Sequence, residues 1–280
     1  MKVIEPAHQS DSGLPMSDVE AWHRTLKPTP NRPVFDRIPS ILPERPSPRQ
    51  VAPHSEIVGV IVETRQNQPL PKVVKQAITR GGLDVIAFHG SANRQFLQDP
   101  TIERFCRDRR VIPHELATNS LSLAEYNALL LSESFWACLA GYKKVVIFQT
   151  DSFFCPGAKW RLGAFRHFDY VGTPWDIDRP IGIQVTGGCG GFSFRDVALS
   201  QLAIQQMSPT TWPGGEDSFF ATATAMLGGK VGSARDSQLW GAQKSWRGIP
   251  VGGHQPWQLG RWSRVLLNLW CYSRRGVNGL

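Results

Sequence analysis

From Ser237 to Leu280 the sequence contains no aspartate or glutamate. Six basic residues stand in that stretch (Lys244, Arg247, Arg261, Arg264, Arg274 and Arg275), so much of the formal charge of +8 sits at the C-terminal end. Such a concentration suits a phosphate-bearing ligand, an anionic membrane surface or nucleic acid, or is simply a solvated face. Cysteine is sparse. Cys106, Cys138, Cys155, Cys189 and Cys271 form no CxxC pair and no regular framework, which argues against a structural zinc site and favours a reducing compartment. No apolar run is long enough to span a bilayer, and the opening MKVIEPAHQSDSG turns polar too early for a signal peptide. These absences predict a cytoplasmic protein, with at most peripheral contact at the inner face of a membrane. Internal repeats and known nucleic-acid motifs are also missing. Eight of the ten tryptophans lie before residue 258, outside the C-terminal tail, so nucleic acid ranks below the other partners.

What is present divides into three parts. Residues 1–54 hold ten of the 21 prolines; proline removes a backbone donor and restricts the residue before it, so this arm reads as a linker or as a segment wrapping the domain. Val34, Phe35, Ile38, Ile41 and Leu42 are its candidate docking residues. Residues 55–257 read as one α/β domain, and residues 258–280 as a basic tail. In that tail Leu259, Trp262, Leu266, Leu269 and Trp270 recur at helical spacing, fitting either a docked helix or an amphipathic helix on a membrane.

Within the domain, Ile57–Val62 (IVGVIV) is a β-branched run typical of a buried parallel strand. Pro69–Thr79 has helical spacing and stops at a Gly-Gly pair. Leu83–Phe88, Arg109–Pro113, Lys144–Phe148, Asp169–Gly172 and Gly191–Phe194 are further strand candidates. Ser120 or Ser122 caps a helix predicted to run through Cys138. Asp196–Met207 and Glu216–Leu227 read as helices. Strands alternating with helices predict a Rossmann-like, mostly parallel sheet covered on both faces. Ligands of such sheets bind beyond the carboxyl ends of the strands.

That rule directs attention to Glu63, Thr64 and Arg65 after the first strand and to Gln149, Thr150 and Asp151 after KVVIF. Asp151 is positioned to hold a divalent cation against a diphosphate, or to cap the turn. TGGCGGFSFRD contains Gly187 and Gly188, which permit either close approach to a ligand or a turn before a strand; no GK[ST] follows, so it is not a P-loop. Glu216 and Asp217 open a helix whose dipole stabilises carboxylates, as caps or as a general base. His254 lies in the Gly/Pro loop PVGGHQPW and is a candidate metal ligand or phosphate donor.

The series ETR, YNxLLxSxxFW, IFQTDSFF, FDYVGTPW, GGCGGFSFR, EDSFF and GGHQPW resembles an uncharacterised family of bacterial and viral proteins related to GT-A glycosyltransferases, over roughly Val58–Trp257. The resemblance implies an inverting, hexosyltransferase-like enzyme moving a sugar from a nucleotide-sugar donor to a glycan or lipid-linked acceptor, as in polysaccharide or glycolipid synthesis. It implies that QTD is a degenerate DxD, with Gln149 replacing the first acid, that Asp151 holds Mn²⁺ or Mg²⁺, and that His254 completes that metal site or grips the diphosphate. Glu63, Thr64, Arg65, Gln149, Thr150, Gly187 and Gly188 would border the donor, with Asp217 and its neighbour Glu216 as the catalytic carboxylates that supply the base. The expected pocket groups Glu63, Arg65, Asp151, Gly188, Asp217 and His254. A non-catalytic nucleotide-sugar or glycan-binding module on the same fold is the alternative.

Overall fold

The computed structural model describes residues 15–42, 56–175 and 186–272. The chain enters through α1 (Met16–His23) and α2 (Ile38–Ile41). It continues through β1 (Ile57–Glu63), α3 (Pro69–Thr79), β2 (Asp84–His89), α4 (Pro100–Arg107), β3 (Val111–Glu115), α5 (Leu123–Leu130), α6 (Glu133–Ala137) and β4 (Lys144–Phe148). Then come β5 (Ser152–Phe154), α7 (Ala158–Leu162), β6 (Tyr170–Thr173), β7 (Cys189–Asp196), α8 (Val197–Gln206) and α9 (Glu216–Met226). The chain ends with α10 (Ala234–Trp240), β8 (Gly241–Ala242), β9 (Gly252–His254) and α11 (Arg261–Tyr272).

Six strands form the central sheet in the order β3-β2-β1-β4-β7-β6. β3, β2, β1 and β4 pair in parallel, and β7 alone runs against the others. The fold is thus mixed α/β with a mostly parallel sheet between helices. The β-branched runs are buried on both faces, because successive side chains of a strand point to opposite sides. Val58, Val60, Val145 and Ile147 pack beneath α5, α6, α8 and α9. Ile61, Val146 and Phe148 pack on the other side, against residues of α3, α4 and α7.

Three sequence expectations change. The helix expected through Cys138 breaks at Ser132. Ser122 forms a capping box with Glu125 to start α5, and Ser132 then accepts a hydrogen bond from the Phe135 amide and starts α6 afresh. The proline-rich arm is more than a plain linker: a proline-free stretch forms α1, and α2 carries Pro39 in its first turn. Ile38, Ile41 and Leu42 are buried in the core while Val34 stays exposed; the rest of the arm, like Arg274 and Arg275, lies outside the described residues. Finally, Cys155 and Cys271, 116 residues apart, form a disulfide. Sequence spacing gave no hint of this pairing, because it depends on α11 packing beside β5.

Candidate functional site

The carboxyl ends of β1 and β4 are neighbours in the sheet, and their following residues face each other. Glu63 is buried at the end of β1 and accepts hydrogen bonds from the Arg65 amide (2.9 Å), the Arg65 guanidinium (2.9 Å to each oxygen) and Asn67 Nδ2 (3.0 Å). Burial favours a protonated Glu63, but the hydrogen bonds and charge of Arg65 outweigh it and hold the carboxyl below its ordinary range. Asn67 also donates to Thr150 Oγ1 (2.9 Å), tying the two strand ends together. Glu63, Thr64, Arg65, Gln149, Thr150 and Asp151 line a cleft of about 240 Å³, walled opposite by Leu121, Leu123 and Tyr126.

His254 is held behind this rim, buried and outside the lining of the cleft, by a second, three-stranded sheet in the order β5-β9-β8. β9 pairs antiparallel with β5, setting His254 opposite Ser152. Gly252 and Gly253 make the insertion possible: a Cβ on either would strike the backbone of Phe153 or Ala242. A Cβ on Gly191 would strike the imidazole itself, and one on Gly190 would strike the Glu216 carboxylate. The GGCGG segment is therefore a bare strand over which two polar side chains are laid.

His254 Nε2 lies 2.9 Å from Gln149 Oε1 and 3.2 Å from Asp151 Oδ1, while Nδ1 lies 3.9 Å from Cys189 Sγ. Burial opposes charge on the imidazole. The Asp151 carboxylate and the Cys189 sulfur outweigh that effect and raise its pKa to about 9. Burial likewise opposes charge on Asp151, and His254 more than offsets it, so the Asp151 pKa falls below its ordinary value. Asp151 Oδ1 is a buried oxygen that takes no well-directed hydrogen bond among the described residues.

These donors suit a divalent cation in part. Two ligands each about 2.0–2.2 Å from one ion stand roughly 3 Å apart, and Asp151 Oδ1 and His254 Nε2 have that spacing. Gln149 Oε1 is a third oxygen within reach. No group of three His, Cys, Asp or Glu side chains converges among the described residues, so any further ligands have to come from water or from a bound diphosphate.

The other expected residues stand apart from the Glu63–Asp151 cleft. Glu216 is not at a pocket edge: it is buried against Arg195 (2.5 and 3.1 Å), which neutralises it. Asp217 is half-buried at the start of α9 and accepts from the Ser218 amide (2.7 Å). Gly187 and Gly188 take positive φ and pack against Tyr170 and Gly172 at the entry to β7, rather than lining the cleft. Tyr126 was missed by sequence reasoning, as were Asn67, Cys189 and Arg195, although each falls within or beside a motif singled out there. Tyr126 is hydrogen-bonded to Gln149 and feels the charges of Glu216 and Arg195, which join cleft and α9; burial raises its pKa.

A second cleft, of about 420 Å³, shares Thr150 and Asp151 with the first. Its other walls include Lys72 and Gln76 of α3, Trp257, and Leu267 of α11.

The site is thus a polar rim beyond the strand ends of a mostly parallel α/β sheet, a place where such proteins bind ligands. The protein family of unknown function DUF5672 matches residues 111–254, from β3 to His254, and the chain belongs to that family. No curated protein matches the sequence. Among solved structures, mouse xyloside xylosyltransferase 1 in its apo form is similar at 11% identity and a TM-score of 0.44, covering 71% of this chain and 97% of the mouse chain. S. aureus TarS 1-349, in complex with UDP-GlcNAc, is similar at 13% identity and a TM-score of 0.43, covering 73% of this chain and 58% of that one. A second S. aureus TarS structure is similar at 16% identity and a TM-score of 0.40, covering 63% of this chain and 34% of that one. This chain therefore spans less than two thirds of either TarS structure.

Proposed function

We propose that this protein is a glycosyltransferase that uses a nucleotide-sugar donor and a hydroxyl acceptor. The observation that carries the reading is the meeting of Asp151 and His254, 3.2 Å apart, at the rim of a cleft that also holds Glu63 and Arg65. In this reading the Glu63–Arg65–Asn67 cluster and Thr150 receive the nucleoside. The diphosphate lies toward Asp151, His254 and Gln149.

Transfer forms a bond between the acceptor oxygen and the sugar C1 and breaks the bond from C1 to the diphosphate. The sugar acquires oxocarbenium character, as in glycoside hydrolysis, and negative charge collects on the leaving diphosphate. A divalent cation (Mn²⁺ or Mg²⁺) held by Asp151 and His254, with Gln149 assisting, would supply positive charge against that diphosphate. The charged imidazole of His254 is itself a donor to phosphate oxygens when no metal is present. Asp217 takes the acceptor proton as the acceptor oxygen attacks C1 from the face opposite the departing diphosphate, which gives inversion. Glu216 acts indirectly by holding Arg195 and the start of α9 in place.

The test is nucleoside diphosphate release by purified protein given UDP- or GDP-sugars with Mn²⁺. Asp217→Asn should lower the rate by about 10²-fold or more, while Arg107→Gln, on the exposed side of α4, leaves it unchanged. Donor binding with no turnover under any acceptor would instead favour the non-catalytic binding module, a reading supported by Gln149 standing where a second acid would strengthen the metal site.

A further inference from the structure

Helix α11 is apolar on two opposite sides. At about 100° per residue, Leu267 and Cys271 share one side, and both are buried with Leu259, Ala242 and Cys155. Trp262, Val265, Leu266 and Leu269 lie on the side facing away and are exposed by 78%, 42%, 49% and 53%. A helix that merely docks on its own domain presents polar residues outward; this one presents an indole and three aliphatic chains. Arg261 and Arg264 are both exposed; at the same spacing Arg261 lies on the flank of the outer side, and Arg264 turns toward the buried side.

We propose that the outer face of α11 docks the protein on an anionic lipid membrane. Trp262, Val265, Leu266 and Leu269 would enter the boundary between headgroups and acyl chains, and Arg261 on its flank would pair with lipid phosphates. Charge complementarity selects this partner over a second copy of the chain. The whole sequence from Ser237 onward lacks an acidic residue, so the α11 of a second copy would offer Arg261 no carboxylate to pair with. No helix among the described residues is long and apolar enough to cross a membrane, so the contact is peripheral. The Cys155–Cys271 disulfide and the buried Leu267 fix the helix to the body, so that anchoring α11 anchors the protein. Leu267 and Cys271 also line the second cleft beside Asp151, so that cleft lies on the inner side of α11, one helix diameter (~10 Å) from the docked face. As a corollary that rests on the transferase reading, the acceptor is carried on a lipid; the docking itself does not depend on that reading.

The test is flotation of the full chain with vesicles of phosphatidylcholine alone or mixed with phosphatidylglycerol, at low and high salt. Wild type should float with the mixed vesicles in a salt-sensitive way. The triple variant Trp262→Ser, Leu266→Ser, Leu269→Ser should lose that binding by at least about tenfold with an unchanged melting temperature. Arg261→Gln with Arg264→Gln should weaken it only on anionic vesicles. The proposal is overturned if wild type floats with neither vesicle or if the triple variant floats equally well. It is also overturned if wild type is a dimer in solution that the triple variant converts to monomer. Donor hydrolysis measured in parallel keeps the two readings separate: lost flotation with intact hydrolysis rejects only the docking face, and the reverse rejects only the transferase.

Discussion

Arg195 and Glu216 form a bidentate ion pair at the heart of the protein, with contacts of 2.5 and 3.1 Å. The guanidinium lies 5.3 Å from the Tyr170 ring centroid and 4.9 Å from that of Phe220. This pair divides two adjacent acids by role. Glu216 belongs to the core, and Asp217, one residue on, lies at its edge.

Removing the charge of Glu216 leaves Arg195 buried without compensation. Glu216→Gln should therefore cost about 3–5 kcal/mol of stability, the usual penalty for breaking a buried pair from one side. Asp217→Asn should cost less than about 1 kcal/mol and act on turnover instead. Urea unfolding of both variants, with donor hydrolysis of each, separates the two roles; equal destabilisation would contradict the assignment.

The bare strand under His254 gives a second expectation. Gly191→Ala places a methyl group into the imidazole, so His254 must leave Asp151 and donor binding should be lost. Gly163→Ala is the control, since its position has ordinary helical φ and open space around it. That change should be neutral or stabilise by roughly 0.4–1 kcal/mol. Titration calorimetry with a nucleotide-sugar and thermal melts of both variants check it.

The N-terminal arm is pinned by a buried histidine. His23 Nδ1 lies 2.7 Å from Thr211 Oγ1, and its ring meets Trp212 edge-on. Burial, opposed by nearby Glu20, lowers its pKa to about 4. Between about pH 6.5 and 4 the unfolded chain therefore binds a proton that the folded chain refuses. Stability is fully present above about pH 6.5 and is lost as pH falls through that window, by at most about 3 kcal/mol. Melting temperatures from pH 7 to 5 should fall less steeply in His23→Phe than in wild type. Parallel curves would remove His23 from the account.

The disulfide is expected to matter to the small sheet. Cys271→Ser should destabilise the protein by about 2–4 kcal/mol. Alkylation of the denatured, unreduced protein should label three of the five cysteines, consistent with Cys106, Cys138 and Cys189 being free. Labelling of all five would contradict the pairing.

The inner strands of the central sheet were readable because β1, β2 and β4 are buried on both faces and so appear as continuous apolar runs; β1 and β4 match the IVGVIV and KVVIF segments closely. The ends of those strands supplied Glu63 and Asp151. The small sheet was not readable. β5, β8 and β9 span two or three residues each, and short glycine-rich strands carry no periodicity. The neighbourhood of His254 and the Cys155–Cys271 bond both depend on that sheet or on α11 beside it. Glu216 and Asp217 were indistinguishable in sequence, because only the position of Arg195 across the core tells them apart.

The most direct measurement is the melting temperature of wild type and Asp151→Asn with UDP- and GDP-sugars, with and without Mn²⁺. A ligand that binds the native state raises that temperature by mass action. The account predicts a rise for wild type with at least one donor, larger with Mn²⁺, and none for Asp151→Asn. No rise with any donor, or an equal rise in the variant, would contradict the claim that Asp151 and His254 together receive the diphosphate.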